Sequence, residues 1–327
     1  MIALLTMNKL YGVFTALLLL ISVEGVAQST QFKFRVIGYM RNQRGLANSV
    51  RNVSLDKLTH LNIAFINPDS SGNLIVAPGL KDVAALAHKS GVKILLSIGG
   101  GTPPRYLPQF IYGGKQELLI AALAGITVDY DLDGIDVDLE GRLVDKNYEG
   151  FVLKLASALK EKGKLITAAT ATVYGDRYTD KALAQFDFIN VMCYDKTGPW
   201  NPNKPGQHAP YNMAADDMEY WSGKRGIAKE KLSLGVPFYG YGFGNNAPES
   251  IAYKDIIAQY PGAENTDQVT IAGGGIIYYN GAPTIKAKTL VALEKAGGVM
   301  IWQLLQDAGG EKSLLSVIDD TIRSQKK

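Results

Sequence analysis

Beyond residue 34 the chain repeats one pattern: a short apolar, β-branched run, a turn, then a longer stretch with apolar positions at helical spacing. The runs at 35–40, 60–67, 93–98, 134–140, 165–170, 186–194, 232–239 and 298–304 read as strands. The stretches at 81–90, 116–130, 145–162, 178–185, 213–221, 284–296 and 311–324 read as the helices between and after them. Strands alternating with helices predict parallel βαβ units. Eight such strands ending in a helix predict an α/β fold of the closed (β/α)8 TIM-barrel type. A doubly wound open sheet is the competing layout. Residues 240–297 are more than one helix needs, and 250–261 with 269–279 predict a small excursion between strands seven and eight. No Pro/Ser-rich linker or tandem repeat divides the chain, so a single domain over 28–327 is expected.

The N-terminus follows a different rule. Lys9 precedes the apolar run Val13–Ile21, and small residues stand at Gly25 and Ala27. A basic start, an apolar centre and a small-residue site predict a signal peptide over 1–27, cleaved near Ala27. The run is well short of the roughly 20 residues that span a bilayer. The expectation is a secreted or periplasmic protein without stable membrane insertion.

Composition narrows the chemistry. A chain of 327 residues with 46% hydrophobic content can bury a large core, and its net charge of +3 is scattered rather than gathered in a stripe. Nucleic acid is therefore not an expected partner. Cys193 is the sole cysteine; set between Met192 and Tyr194, it reads as a small core residue, with no disulfide or redox pair to form.

The richest segment is Asp133-Gly134-Ile135-Asp136-Val137-Asp138-Leu139-Glu140. Side chains on a strand alternate faces, so Asp136, Asp138 and Glu140 share one face and Ile135, Val137 and Leu139 the other. In a barrel the apolar set packs under helices and the acids point into the lumen, toward the C-terminal mouth where such folds carry their sites. Carboxylates crowded in a partly dry space cannot all ionise cheaply, so one keeps its proton and can serve as a general acid. Glu140, last and longest, reaches furthest into the cleft. A divalent cation is the alternative occupant, but the three histidines, His60, His88 and His208, form no HExxH-like pair. Neither a metal nor a cofactor is expected. Asp133, out of phase with the other acids, is expected to hold the turn before strand four.

Asp133–Glu140 resembles the DGxDxDxE signature of the family 18 glycoside hydrolases, the chitinase-like barrels. Ser97-Ile98-Gly99-Gly100 resembles that family's SxGG, and Met192-Cys193-Tyr194-Asp195 its MxYD. Gly235–Gly240 and Gly298–Trp302 resemble its strand-seven and strand-eight motifs. The resemblance runs from about residue 34 to 305, in order. It implies hydrolysis of β-1,4 bonds in chitin or N-acetylglucosamine oligomers, retaining and substrate-assisted, in which the sugar's own acetamido oxygen is the nucleophile. By motif position Glu140 is the acid and then the base. Asp138 orients the acetamido nitrogen, Asp136 holds or shares its proton, and Tyr194 hydrogen-bonds the acetamido group. Asp195 orients the sugar and Trp302 is its floor. Met192 joins the expected sugar contacts.

Three assignments stay open at this point. Tyr39 and Phe65 wall the acetamido pocket or are barrel-core aromatics. Tyr239 and Tyr241 touch the sugar or fill the mouth. Gly99-Gly100-Gly101 admits ligand to the backbone or forms a tight turn. Gly141, Gly101 and Tyr241 depart from residues common in chitinases, which argues against a long aromatic cleft. Within the same chemistry, an endo-β-N-acetylglucosaminidase acting on N-glycan cores is the alternative, with peptidoglycan a lesser one. An inactive chitin-binding lectin is the alternative from another class. The partner expected is an N-acetylglucosamine-containing glycan, and the protein is expected to be a monomer.

Overall fold

The structure is a computed structural model that describes residues 33–325; the expected signal peptide lies outside them. Eight parallel strands close into a barrel: β1 (Arg35–Arg41), β2 (His60–Ala64), β3 (Lys93–Gly99), β4 (Gly134–Asp138), β5 (Leu165–Thr170), β6 (Phe188–Val191), β7 (Leu232–Pro237) and β12 (Gly298–Trp302), the last pairing with the first. This is the expected (β/α)8 architecture, and closure of β12 on β1 removes the open-sheet alternative.

The helices follow the apolar spacing. In Leu80–Lys89 the buried positions are Leu80, Val83, Ala84 and Ala87. In Tyr148–Lys160 they are Tyr148, Phe151, Val152, Leu155, Ala156 and Leu159, one stripe laid on the strands. The main apolar core lies between strands and helices, and Cys193 is buried within it. Inside the barrel the filling differs. A small apolar group, including Ile37, Tyr39, Phe188 and Met300, shares the lumen with buried Asn62, Ser97, Asp136, Thr167 and Asn190. A polar lumen is what allows carboxylates to enter it.

Several strands stop short of the apolar runs that announced them. The runs at 60–67, 134–140, 186–194 and 298–304 give strands ending at Ala64, Asp138, Val191 and Trp302. The surplus residues leave the sheet at the mouth: Phe65, Met192 and Tyr194 pack with the lumen group, whereas Ile66, Leu139, Cys193 and Leu304 turn back into the core under the helices. The helix expected at 213–221 starts earlier, as Tyr211–Glu219, and ends in a π turn over Tyr220–Lys224. That expected at 311–324 starts at Leu314, where the Ser313 hydroxyl accepts from the Ser316 amide and caps it.

The excursion is larger than the sequence suggested. It is a four-stranded antiparallel sheet of β8 (Tyr239–Phe243), β9 (Ser250–Ala252), β10 (Gln268–Thr270) and β11 (Ile276–Tyr278), in the order β10-β11-β8-β9. Phe238 alone separates β7 from β8, so the chain passes from barrel to excursion almost without a loop. Lys288, on helix Ala282–Lys295, is buried where the two meet. Its ammonium donates to the Ala209 carbonyl and to Asn280 Oδ1, both at 2.7 Å. Burial brings it down to about 8. Among the described residues no helix is long and apolar enough to cross a membrane.

Candidate active site

β4 places its acids as the alternation requires. Asp136 and Asp138 are buried in the lumen, while Ile135 and Val137 face the helices. Glu140 stands two residues beyond the strand, half-buried, where Gly141 (φ 58) turns the chain into the short helix Gly141–Leu143. Gly99 decides how closely β3 approaches. Its φ is 110°, and a Cβ there would meet the Asp138 carbonyl oxygen at 2.1 Å. Gly99 therefore serves the contact between β3 and β4, Gly100 leaves room for the Phe65 ring, and Gly101 faces the Glu140 carboxyl.

Asp136 is the anchored member. Its Oδ2 accepts from the Tyr39 and Ser97 hydroxyls, both at 2.7 Å, and its Oδ1 from Thr167 Oγ1 at 2.6 Å. Burial pushes this carboxyl up, and these hydrogen bonds pull against it. Asp138 has no such support. Its Oδ1 is buried without a hydrogen-bond partner, and burial, then Glu140, then Asp136 push its carboxyl well above the usual range. Glu140 is pushed up to about 7, by burial first and by Asp195 second. All three carboxyls are thus pushed upward, and Glu140 reaches about 7.

The carboxyls of Asp138 and Glu140 open on a cavity of about 180 Å³ lined also by Phe65, Gly101, Met192, Tyr194, Asp195 and Trp302. Phe65 stacks on Trp302 with centroids 5.5 Å apart, and Arg41 lies 5.8 Å from the indole, so the ring is held as a fixed face. The Tyr194 hydroxyl donates to Met300 Sδ at 3.8 Å, a weak acceptor it can exchange for a better one.

Two expected contacts stand elsewhere. Tyr39 is buried under the site, bonded to Asp136 and packed 5.6 Å from Trp302, and is absent from the cavity lining. Tyr239 is also outside the lining; its hydroxyl donates to Asp195 Oδ1 at 2.6 Å. Asp133 holds the base of β4, accepting from the Ile94 amide at 2.8 Å and lying 2.9 Å from His88 Nε2. Sequence reading passed over two residues. Trp200 is an exposed indole, edge-on to Tyr241 at 5.3 Å; a lone loop tryptophan five residues past Asp195 was the available signal. His208 lies 3.4 Å from Asp195 and carried no signal at all.

Across known proteins, the pattern described as "Glycosyl hydrolases family 18" matches residues 35–307. The chain belongs to that family. Among solved structures, this family 18 chain is similar to a chitinase from the chitin utilization locus of Flavobacterium johnsoniae. The two are 38% identical with a TM-score of 0.82, over 90% of this chain and 95% of that one. A chitinase from Bacteroides thetaiotaomicron is 30% identical, with a TM-score of 0.79 over 90% and 98%. Curated relatives include a "chitinase-like effector" of Moniliophthora roreri, 30% identical over 66% of this chain, and "Probable chitinase 2" of Drosophila melanogaster, 27% identical over 54%. The family 18 chain spans 61% and 48% of the lengths of those two relatives. Membership supports a glycoside hydrolase of the chitinase kind on a TIM barrel.

The raised Glu140 carboxyl has a consequence for folding. Its value is 4.5 when unperturbed and about 7 in the fold, so the folded state binds more protons than the unfolded one between these values. Stability is therefore lost as pH rises from 4.5 to 7, by at most about 3 kcal/mol. Glu140→Gln removes this loss. The variant is expected to melt several degrees above the parent at pH 8 and close to it at pH 4.5, read by thermal denaturation at both.

Proposed function

We propose that the protein hydrolyses β-1,4 bonds in chitin or N-acetylglucosamine oligomers, with retention, using Glu140 as acid and then base. One observation carries this reading: a half-buried carboxyl held at about 7 faces a sugar-sized cavity beside a second, unpartnered buried acid. Glu140 protonates the leaving oxygen. The acetamido oxygen attacks the anomeric carbon, and water, activated by the Glu140 carboxylate, then opens the oxazolinium ion. Asp138, which lines the cavity, accepts the acetamido N–H, and Asp136, tied to Tyr39, Ser97 and Thr167, holds or shares its proton beneath it. Tyr194 hydrogen-bonds the acetamido group, Trp302 carries the ring, and Phe65, Met192 and Asp195 bound the pocket. Trp200 extends the aromatic surface at the rim. The segment 1–27 directs the chain out of the cytoplasm.

Since the acid must be protonated to act, kcat/KM is expected to fall about tenfold per pH unit above about 7. A kcat/KM–pH profile on a soluble chitin oligomer checks this, and a flat profile to pH 9 contradicts it. Product analysis on the same oligomers, beside a high-mannose glycopeptide, tests the substrate. Release of chitobiose-type products with the glycopeptide intact is expected. Cleavage of the glycopeptide alone would replace chitin by an N-glycan core.

A further inference from the structure

β6 carries one more polar side chain into the lumen. Its residues alternate: Ile189 and Val191 join the core under the helices, whereas Phe188 and Asn190 point inward. Asn190 is fully buried. Its Nδ2 donates to Tyr39 Oη at 3.1 Å and to Asp136 Oδ1 at 3.5 Å. β12 and β7 stand between β1 and β6 in the barrel, so this contact ties two walls that share no backbone hydrogen bond. With Asn190 included, Asp136 faces four donors: Tyr39 and Ser97 on Oδ2, Thr167 and Asn190 on Oδ1.

The chemistry of these groups fixes the direction of each bond. A carboxylate only accepts, and an amide nitrogen only donates. Turned the other way, the Asn190 carbonyl oxygen would face Asp136 Oδ1, acceptor against acceptor, so Nδ2 is the end that faces this corner. Tyr39 Oη has one proton to give. Burial, then Asp136 and Asp138, raise this hydroxyl well above its usual range, so it keeps that proton. The N–H of Asn190 occupies a lone pair of Oη and offers the proton nothing to bond to. The proton is left to Asp136 Oδ2, 2.7 Å away. Asn62, the register partner of Tyr39 on β2, is a competing acceptor within reach. The bonds from Asn190 to Tyr39 and from Tyr39 to Asp136 run in one direction, so each polarises the next. The titratable groups acting on Asp136 are Tyr39 from β1, Asp138 on its own strand and Tyr148 from the helix Tyr148–Lys160. β3, β5 and β6 present only the neutral Ser97, Thr167 and Asn190.

We propose that Asn190 is a positioning residue: its amide points the Tyr39 proton at Asp136 and so sets how tightly that carboxyl holds a proton of its own. The inference deepens the reading of Asp136 as the carboxyl that holds or shares the Asp138 proton, and rests on it. Each donor on Asp136 favours its charged form, and burial opposes that form. The weaker the hold of Asp136, the more the shared proton belongs to Asp138, the one of the two that lines the cavity. Asn190 itself meets no sugar; it acts through the tyrosine.

Neutron diffraction from perdeuterated crystals reads the directions. The deuteron on Tyr39 Oη is expected on the line to Asp136, with a deuteron of Asn190 Nδ2 directed at Oη. A Tyr39 deuteron directed at Asn190 or Asn62 overturns the proposal. The strength is read by a carboxyl ¹³C NMR titration of aspartate-labelled full-length protein, with the Asp136 signal assigned by Asp136→Asn. Asn190→Leu keeps the volume and loses the donor. In it the Asp136 midpoint is expected to move to higher pH, its proton affinity rising about threefold or more. In a Tyr39→Phe background, Asn190→Leu is expected to add less than about half of that shift. A merely structural asparagine would lower the melting temperature and leave the midpoint in place. An unmoved midpoint, a move to lower pH, or half or more of the shift persisting without the Tyr39 hydroxyl overturns the proposal. If the leucine variant does not fold, Asn190→Ala is judged by the same midpoint, and the neutron result needs no variant. Neither measurement needs turnover. A parent protein that hydrolyses no oligomer would therefore sink the hydrolase reading separately.

Discussion

Glu140→Gln is expected to lower kcat on chitin oligomers by about 10³-fold or more, while the protein still folds and still binds the oligomer. The amide keeps the shape and the cavity but has no proton of suitable acidity to give, and none to take from water afterwards. Both halves of the reaction fail together. The surviving contacts explain why binding persists: Trp302, braced by Phe65 and Arg41, and the Tyr194 hydroxyl are untouched. Steady-state kinetics beside calorimetric binding separates the two quantities. A variant retaining a tenth of the parent's turnover would move the acid to another residue. Parent and variant that bind alike and are both silent would favour a chitin-binding lectin.

Asp138→Ala is expected to lower kcat by about 10²- to 10³-fold with a smaller effect on KM. Burial, then Glu140 and Asp136, push the Asp138 carboxyl up, a penalty on its charged form that is relieved when a substrate N–H arrives on its cavity side. That relief is greatest once the acetamido oxygen has bonded to the anomeric carbon and the nitrogen carries positive charge, so the contact favours the transition state over the bound substrate. Initial-rate measurements over a range of oligomer concentrations read the split. A pure rise in KM would show that Asp138 only binds.

Much of this was legible from residue types alone. The eight strands, their order and the helical stripes follow from periodicity, because a parallel strand covered on both sides reads as a near-continuous apolar run. The acids on β4 stand out because three charges at period two oppose that rule. What the sequence concealed depends on contacts distant along the chain. Tyr39 and Asp136 are 97 residues apart, and Asp195 meets Tyr239 across 44. No local pattern says that the first tyrosine lies under the site or that the second holds a carboxylate. His208 sits in a polar loop rich in Pro and Gly, and only the folded corner makes it a neighbour of Asp195. Strand ends were misplaced for a related reason: the runs past Ala64 and Val191 stay apolar because their side chains alternate between the lumen group (Phe65, Met192, Tyr194) and the outer core (Ile66, Cys193).

The near-seamless passage from β7 into β8 divides the labour of the site between two parts of the chain. The barrel contributes the acids, whereas Tyr239 and Tyr241, which seat Asp195 and its histidine, belong to the inserted sheet. The mouth is therefore built from two parts of the chain, and a substitution in the sheet can move a contact of Asp195 without changing any acid of the barrel.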